Sequence, residues 1–279
     1  MNHKIKMIGF DLDGTLLTTE KQLTERTRKA LDEAIRQGVV VLAVTGRPFS
    51  GVPEVIREFG GIHYLITSNG ARVVEDGKFI CDQLLGHETA GKILDIFEEY
   101  DTLRELYFDG QGYAQESALQ EIEKYISTAA MAGYITSSRI AVPDIREKFE
   151  SERRPLDKIQ ALFARLEDKE EALERIRALG GVEATGALRN NIEVNAENVH
   201  KGRAILWLAD RLGIKKEEIM TFGDGANDLQ MIECAGVGVA MANGVEEVRK
   251  AADIIAETND ADGVAKVIEE YVLAKSGIE

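Results

Sequence analysis

Asp11-Leu12-Asp13-Gly14-Thr15 follows directly on the apolar run Ile5-Lys6-Met7-Ile8-Gly9-Phe10. In an extended segment side chains alternate with a period of two, so Asp11 and Asp13 emerge on the same side at the carboxyl end of a strand. Two carboxylates held that close repel, and are costly to desolvate unless a cation or a shared proton compensates them. Gly14 lets the chain turn sharply, and Thr15 adds a hydroxyl beside the pair. Ligands of open α/β sheets bind in the crevice outside the strand ends. The pattern therefore reads as a magnesium-assisted phosphoryl-transfer site. The competing reading is a polar turn that caps the next helix.

Three further segments fall at strand ends or helix starts: Thr45-Gly46-Arg47, His200-Lys201-Gly202 and Asp224 with Asn227-Asp228. Phosphoryl transfer needs a nucleophile, a proton donor for the leaving oxygen, and positive charge around the transferring group. Asp11 can attack as a carboxylate and form an acyl phosphate. Asp13 can protonate the leaving alkoxide and then take a proton from water. Thr45 offers a hydroxyl, backbone N–H groups near Leu12 and Asp13 can receive a phosphate oxygen, and Lys201 supplies a compact charge. Asp224, Asn227 and Asp228 offer oxygens to a cation, a set that suits magnesium better than zinc. Taken singly, T-G-R could be an ordinary turn, H-K-G a solvated helix start and G-D-G-A-N-D an N-cap cluster. Their joint occurrence in one order favours the site.

The elements that must hold these residues alternate strand and helix. An amphipathic helix over Thr24–Gln37 ends at Gly38, and Val39–Val44 is a continuous apolar run, the mark of a parallel strand covered on both faces. A further helix is expected to about Phe59, then a short strand Tyr64–Thr67 ending at Ser68-Asn69-Gly70-Ala71. The alternation resumes with a helix from Lys201 to Leu212, strands Ile219–Phe222, Gly236–Met241 and Ala252–Ala256, and a closing helix Asp262–Ala274. This implies an α/β fold with a doubly wound parallel sheet built from residues 1–82 and 197–279. Residues 83–196 differ. Helices are expected at His87–Tyr100, Glu116–Ala130 and Asp168–Leu179, strands at Leu103–Phe108 and Ile159–Phe163, and a hairpin at Val182–Leu188 and Ile192–Asn195. This mixture reads as an α/β domain inserted between the halves of the core.

The formal charge of −15 disfavours a nucleic-acid backbone or an anionic membrane as partner, and it sits awkwardly with an anionic substrate. The field at a phosphate site must then come from a bound cation and a few placed Lys and Arg residues. Cys81 and Cys234 lack metal-ligand spacing and read as free thiols in a reducing compartment. The N-terminus shows no signal peptide, and no run of ~18 apolar residues suggests a membrane span, so a cytoplasmic location is expected. Trp207 reads as helix packing, and Arg189 and Asn190 as turn residues. His3, His63 and His87 carry no role.

D-L-D-G-T, T-G-R, S-N-G-A, H-K-G, G-D-G-A-N-D and Val239-Ala240-Met241-Ala242-Asn243 together resemble the haloacid-dehalogenase superfamily, specifically its Cof-type (subclass IIB) sugar-phosphatase-like members. The resemblance covers both flanks. The middle matches in length and position as the family's large cap. The resemblance implies a Rossmann-like core, Asp11 as nucleophile and Asp13 as acid/base. It also implies phosphate or substrate contacts from Leu12, Thr45, Gly46, Arg47, Asn69, Lys201 and Asn227. Magnesium would lie on Asp11, the Asp13 carbonyl and Asp224, with Asp228 and Asn227 supporting it. Gly225 departs from the family, since many relatives carry a side chain there. The expected function is a magnesium-dependent phosphatase of small phosphorylated metabolites, working through a phosphoaspartate. The rivals are a phosphomutase and a catalytically silent binding protein on the same fold. Substrate identity and oligomeric state are left open.

Overall fold

A computed structural model describes residues 4–274 of the chain; His3 lies outside them. The chain opens with β1 (Met7–Phe10), β2 (Val40–Val44) and β3 (Tyr64–Thr67), followed by a hairpin of β4 (Arg72–Glu75) and β5 (Lys78–Asp82). The central segment supplies β6 (Thr102–Phe108), β7 (Gln111–Gln115), β8 (Arg139–Val142), β9 (Lys158–Phe163), β10 (Val182–Thr185) and β11 (Asn191–Ala196). The last part adds β12 (Ile219–Gly223), β13 (Val237–Met241) and β14 (Ile254–Ala256).

Two sheets result. The first has the order β14-β13-β12-β1-β2-β3-β4-β5, parallel from β14 to β3 and antiparallel at the β4 and β5 edge. Its apolar runs are buried on both faces. Ile8, Phe10, Val41 and Ala43 face one way, onto Leu31 and Ala34 of the helix Glu25–Arg36 and Val264 and Ile268 near the C-terminus. Met7, Leu42, Val44 and Ile66 face the other way, onto Ile205 and Leu208 of the helix Lys201–Arg211. Trp207 packs at the edge of this second cluster. Gly9 permits the close approach, because a Cβ there would lie 2.4 Å from Ile205 Cδ1. The order reverses between β12 and β2 around β1, and this puts the crevice at the end of β1.

The second sheet has the order β10-β11-β9-β6-β7-β8 and is antiparallel except for the β7–β8 pair. On one face Leu106, Phe108, Ile159, Phe163, Ile192 and Val194 pack with the helices His87–Glu98, Ile145–Glu152 and Leu166–Leu179. The other face carries Glu105, Tyr107, Lys158, Gln160, Asn191, Glu193 and Asn195, all buried although polar or ionisable. The chain leaves the first sheet after Asp82, and Leu85 bridges Leu156 where the two units meet.

Several elements differ from expectation. The helix expected to reach Phe59 is a 3₁₀ turn Phe49–Gly51 and a short helix Glu54–Arg57, because Pro48, Gly51 and Pro53 interrupt it. The helix expected over Glu116–Ala130 is two pieces, Glu116–Gln120 and Ala129–Ser138, separated by a turn at Ile122–Lys124. The first strand of the expected hairpin stops at Thr185. The closing helix is Gly263–Ile268 with a wider turn at Glu269–Leu273. The hairpin β4–β5, strands β7 and β8 and the helix Ile145–Glu152 were not expected. Among the described residues no helix is long and apolar enough to cross a membrane.

Candidate active site

Beyond β1 the backbone stays tied to the sheet: Asp11 N–H donates to the Phe222 carbonyl at 3.0 Å. It then turns back, with Leu16 and Leu17 N–H donating to the carbonyls of Asp11 and Leu12. Leu12 is fully buried and its side chain packs in the core beneath the first sheet, so that side chain offers nothing to a ligand. Gly14 sits at φ 78°, and a Cβ there would lie 2.3 Å from Asp224 Oδ2. Only glycine lets the first loop close onto the loop after β12. Thr15 Oγ1 then donates to Asp224 Oδ1 at 2.7 Å.

Carboxylate oxygens of Asp11, Asp224 and Asp228 lie within 4.8 Å of one another. The Lys201 ammonium, fully buried at the start of its helix, donates to Asp11 Oδ1 and to Asp228 Oδ1, each at 2.7 Å. Asp228 Oδ2 accepts from the backbone N–H groups of Asp224 and Gly225, both at 2.9 Å. Both Asp228 oxygens are therefore engaged, which fixes the loop that presents Asp224. One ammonium does not neutralise three carboxylates. Burial, with the charges of Asp228 and Asp13 added, pushes the Asp11 carboxyl up to about 7 against the pull of Lys201. Burial, Asp228 and Asp11 push Asp224 up to about 8. A cluster of oxygens short of positive charge is a fitting site for a hard divalent cation.

Asp13 is placed differently. The Arg47 guanidinium forks onto it, Nε to Oδ2 at 2.6 Å and Nη2 to Oδ1 at 2.7 Å, and Lys21 Nζ reaches Oδ1 at 2.7 Å. Burial would raise this carboxyl, but the two cations outweigh it and hold it well below the usual carboxylate range. Arg47 Nη1 also donates to the Gly51 carbonyl at 2.9 Å, and its guanidinium carbon lies 3.9 Å from the Tyr134 ring centroid. Arg47 thus grips Asp13 rather than lying free for a phosphate. Thr45 is buried, and its hydroxyl accepts from Arg47 N–H at 3.1 Å.

Asn69, at φ 59°, joins the two sheets. Its amide donates to Glu193 Oε2 at 2.7 Å, and its Oδ1 accepts from Asn227 Nδ2 at 3.2 Å. Gly46 lies under this seam, where a Cβ would come within 2.9 Å of Asn69 Oδ1 and 3.2 Å of Glu193 Oε2. Gly225, left without a side chain, gives space to the Asn227 amide, whose Oδ1 would be 2.7 Å from a Cβ.

A cavity of about 220 Å³ opens between the two units and is lined by Asp11, Asp13, Thr45, Arg47, Asp224 and Asn227 from the first. Tyr134, Arg139, Lys158, Gln160, Leu188 and Glu193 are among the residues that line it from the second. Sequence reasoning missed these, and also Lys21; the Thr15 hydroxyl, expected beside the acidic pair, serves Asp224 instead. The signal available was strand alternation: Glu105 and Tyr107, Lys158 and Gln160, and Asn191 and Glu193 each share a face.

A family model described as haloacid dehalogenase-like hydrolase matches residues 8–268. The chain belongs to that family. A 5-amino-6-(5-phospho-D-ribitylamino)uracil phosphatase of Bacillus subtilis, YcsE, is 30% identical over 272 residues, covering 96% of each protein. The structure of a haloacid dehalogenase-like hydrolase from B. subtilis superposes with a TM-score of 0.87 at 28% identity, over 96% of this chain and all of the other. A subclass IIB sugar phosphatase shares the fold, with a TM-score of 0.81 at 24% identity over 95% of this chain and 98% of its own. This member of the family is a phosphoric monoester hydrolase of the Cof type, whose superfamily generally uses magnesium.

Proposed function

We propose that this haloacid dehalogenase-like hydrolase is a cytosolic, magnesium-dependent phosphatase of small phosphorylated metabolites that works through a phosphoaspartate on Asp11. The observation that carries the reading is the convergence of Asp11 and Asp224 on a cavity that Asp13 also lines, with the buried Lys201 ammonium on Asp11 behind them. The free Cys81 and Cys234 support a reducing compartment.

Asp11 and Asp224 would hold magnesium, helped by the Asp13 carbonyl and by Asp228, which shapes the Asp224 loop. When bound, the ion supplies positive charge to the phosphate oxygens and to the nucleophile. Lys201 favours the ionised form of Asp11 and aims it, and Thr45 and the N–H groups near Leu12 and Asp13 receive phosphate oxygens. Asp11 attacks phosphorus, and the leaving oxygen departs on the opposite side with a proton from Asp13. Arg47 and Lys21 favour the ionised form of Asp13, the form that takes a proton from the attacking water in the second step. Delivery of a proton in the first step requires the arriving substrate to draw one of these cations away from it. Residues of about 83–196 would cover the site, exclude water and select the leaving group.

The test is hydrolysis of nitrophenyl phosphate with magnesium, with chelator, and in Asp11→Asn. Turnover that needs magnesium and vanishes in the variant supports the reading. Full activity in Asp11→Asn would sink the phosphoaspartate, and no turnover by the wild type would favour the silent binding protein.

A further inference from the structure

The cap-side wall of the cavity contains two buried cations, and both are already paired within the protein. Arg139 uses its whole guanidinium. Nε donates to Glu105 Oε1 at 3.1 Å, and Nη2 donates to Glu105 Oε2 at 3.3 Å and Tyr107 Oη at 2.8 Å. Nη1 donates to Tyr134 Oη at 3.3 Å and Ser138 Oγ at 2.8 Å. Five N–H bonds meet five acceptors, so this arginine has nothing left for a ligand. Lys158 Nζ donates to Glu193 Oε2 at 2.5 Å and lies 4.7 Å from the Tyr107 ring centroid. Glu193 also accepts from the amides of Asn69 and Asn191, at 2.7 and 3.0 Å. Lys158 and Glu193 both line the cavity. Register explains their meeting, because Glu193 pairs with Gln160 on β9, two residues from Lys158 on the same face.

We propose that Glu193 and Lys158 are specificity-determining residues, a charge-balanced pair that admits hydroxylated, uncharged leaving groups and rejects those bearing a second phosphate or a carboxylate. The proposal rests on the phosphatase reading of the site and deepens it. A second anion brought to this wall finds Arg139 saturated and must approach Glu193 to reach Lys158, and like charges at short range in a desolvated pocket are strongly unfavourable. A hydroxyl has no such conflict. It can accept from a spare Lys158 N–H and donate to the Glu193 carboxylate, which suits a polyol chain. Burial lowers the pKa of Lys158, and the charges of Glu193 and of Glu105 on the same face oppose it, so removing Glu193 still leaves a carboxylate that favours the ammonium. The same balance disfavours the phosphomutase alternative, since a mutase must bind a bisphosphate with its second phosphate at the cap end.

The experiment compares glucitol 6-phosphate with 6-phosphogluconate, two open-chain esters that differ only by a carboxylate in place of the hydroxymethyl group at the far end. Each is measured as substrate and as competitive inhibitor of nitrophenyl phosphate hydrolysis, so a ratio is obtained even where neither turns over. The wild type should prefer glucitol 6-phosphate by ~10-fold or more, the scale of a like-charge conflict in a binding site. Lys158→Gln leaves Glu193 uncompensated and should widen the ratio. Glu193→Gln frees the ammonium and should narrow or invert it. The double variant should return to within ~3-fold of the wild type, as expected for two coupled charges. Structural loosening would move both single variants in the same direction. Equal ratios in the wild type, or single variants that shift together or not at all, overturn the proposal. Loss of nitrophenyl phosphate hydrolysis by the wild type would instead refute the phosphatase reading beneath it. Should Glu193→Gln fail to fold, the wild-type ratio and the widening in Lys158→Gln still decide.

Discussion

Replacing Asp11, the proposed nucleophile, should stabilise the metal-free protein, and by an amount that depends on pH. Asp11 is pushed from an ordinary 3.8 to about 7, chiefly by burial. The folded state therefore holds the Asp11 proton more tightly than the unfolded state. Stability is fully present below the unfolded pKa, and is lost as pH rises from about 4 through about 7. At 1.36 kcal/mol per pH unit, ionisation of Asp11 costs about 4 kcal/mol at pH 8 and about 2 kcal/mol at pH 5.5. Asp11→Asn fixes the uncharged form and avoids that cost, so in chelator it should exceed the wild type by those amounts. At 2–4 °C per kcal/mol the gain at pH 8 is on the order of 10 °C in Tm. Urea unfolding and thermal scans of both proteins, in chelator at the two pH values, measure it. Magnesium should recover much of the deficit in the wild type and little in the variant, because only the wild type presents the full carboxylate set. An Asn variant less stable than the wild type at pH 8, or a gain independent of pH, would refute the argument that buried carboxylate repulsion is stored at this site.

Lys201→Met should lose about 3–5 kcal/mol at pH 8 in chelator, since it strands two buried carboxylates, and should abolish turnover; urea midpoints and nitrophenyl phosphate rates check both. Asp13→Asn should slow hydrolysis by ~10²–10⁴ for alkyl phosphates and by less for nitrophenyl phosphate, whose leaving group needs no proton; an equal defect for both would give Asp13 another role. Gly46→Ala should cost about 1–3 kcal/mol in urea unfolding, because its Cβ meets Asn69 Oδ1 and Glu193 Oε2, and should raise KM for natural esters more than for nitrophenyl phosphate.

What the sequence discloses depends on whether a feature is local. The parallel strands β2 and β3 read directly from apolar runs, because a strand covered on both faces has no polar alternation to hide it. Asp11, Lys201 and Asp224 read from strand ends and a helix start, the positions where the fold aims side chains at the crevice. Other local signals were present but weaker. Asp76-Gly77 and Asp109-Gly110 have positive φ at both residues, as two-residue hairpin turns demand, and they mark the β4–β5 and β6–β7 hairpins. Asp144 caps the helix Ile145–Glu152 by accepting from Glu147 N–H at 2.9 Å, an acid three residues ahead of a glutamate that sequence alone displays. The polar wall of the second sheet is different in kind. Alternation assigns Glu105, Tyr107, Lys158, Gln160 and Glu193 to the face opposite the apolar cluster, and in an antiparallel sheet that face is ordinarily wet. Nothing local distinguishes a wet face from one laid over the crevice of a second sheet. The pairing of Lys158 with Glu193, 35 residues apart, and of Glu193 with Asn69, 124 apart, exists only once both sheets are assembled. The chemical step is thus written in short motifs. On the proposed reading, choice of leaving group is written in the register of strands that pair across the chain, and it is there that substitutions should retune the enzyme without touching Asp11.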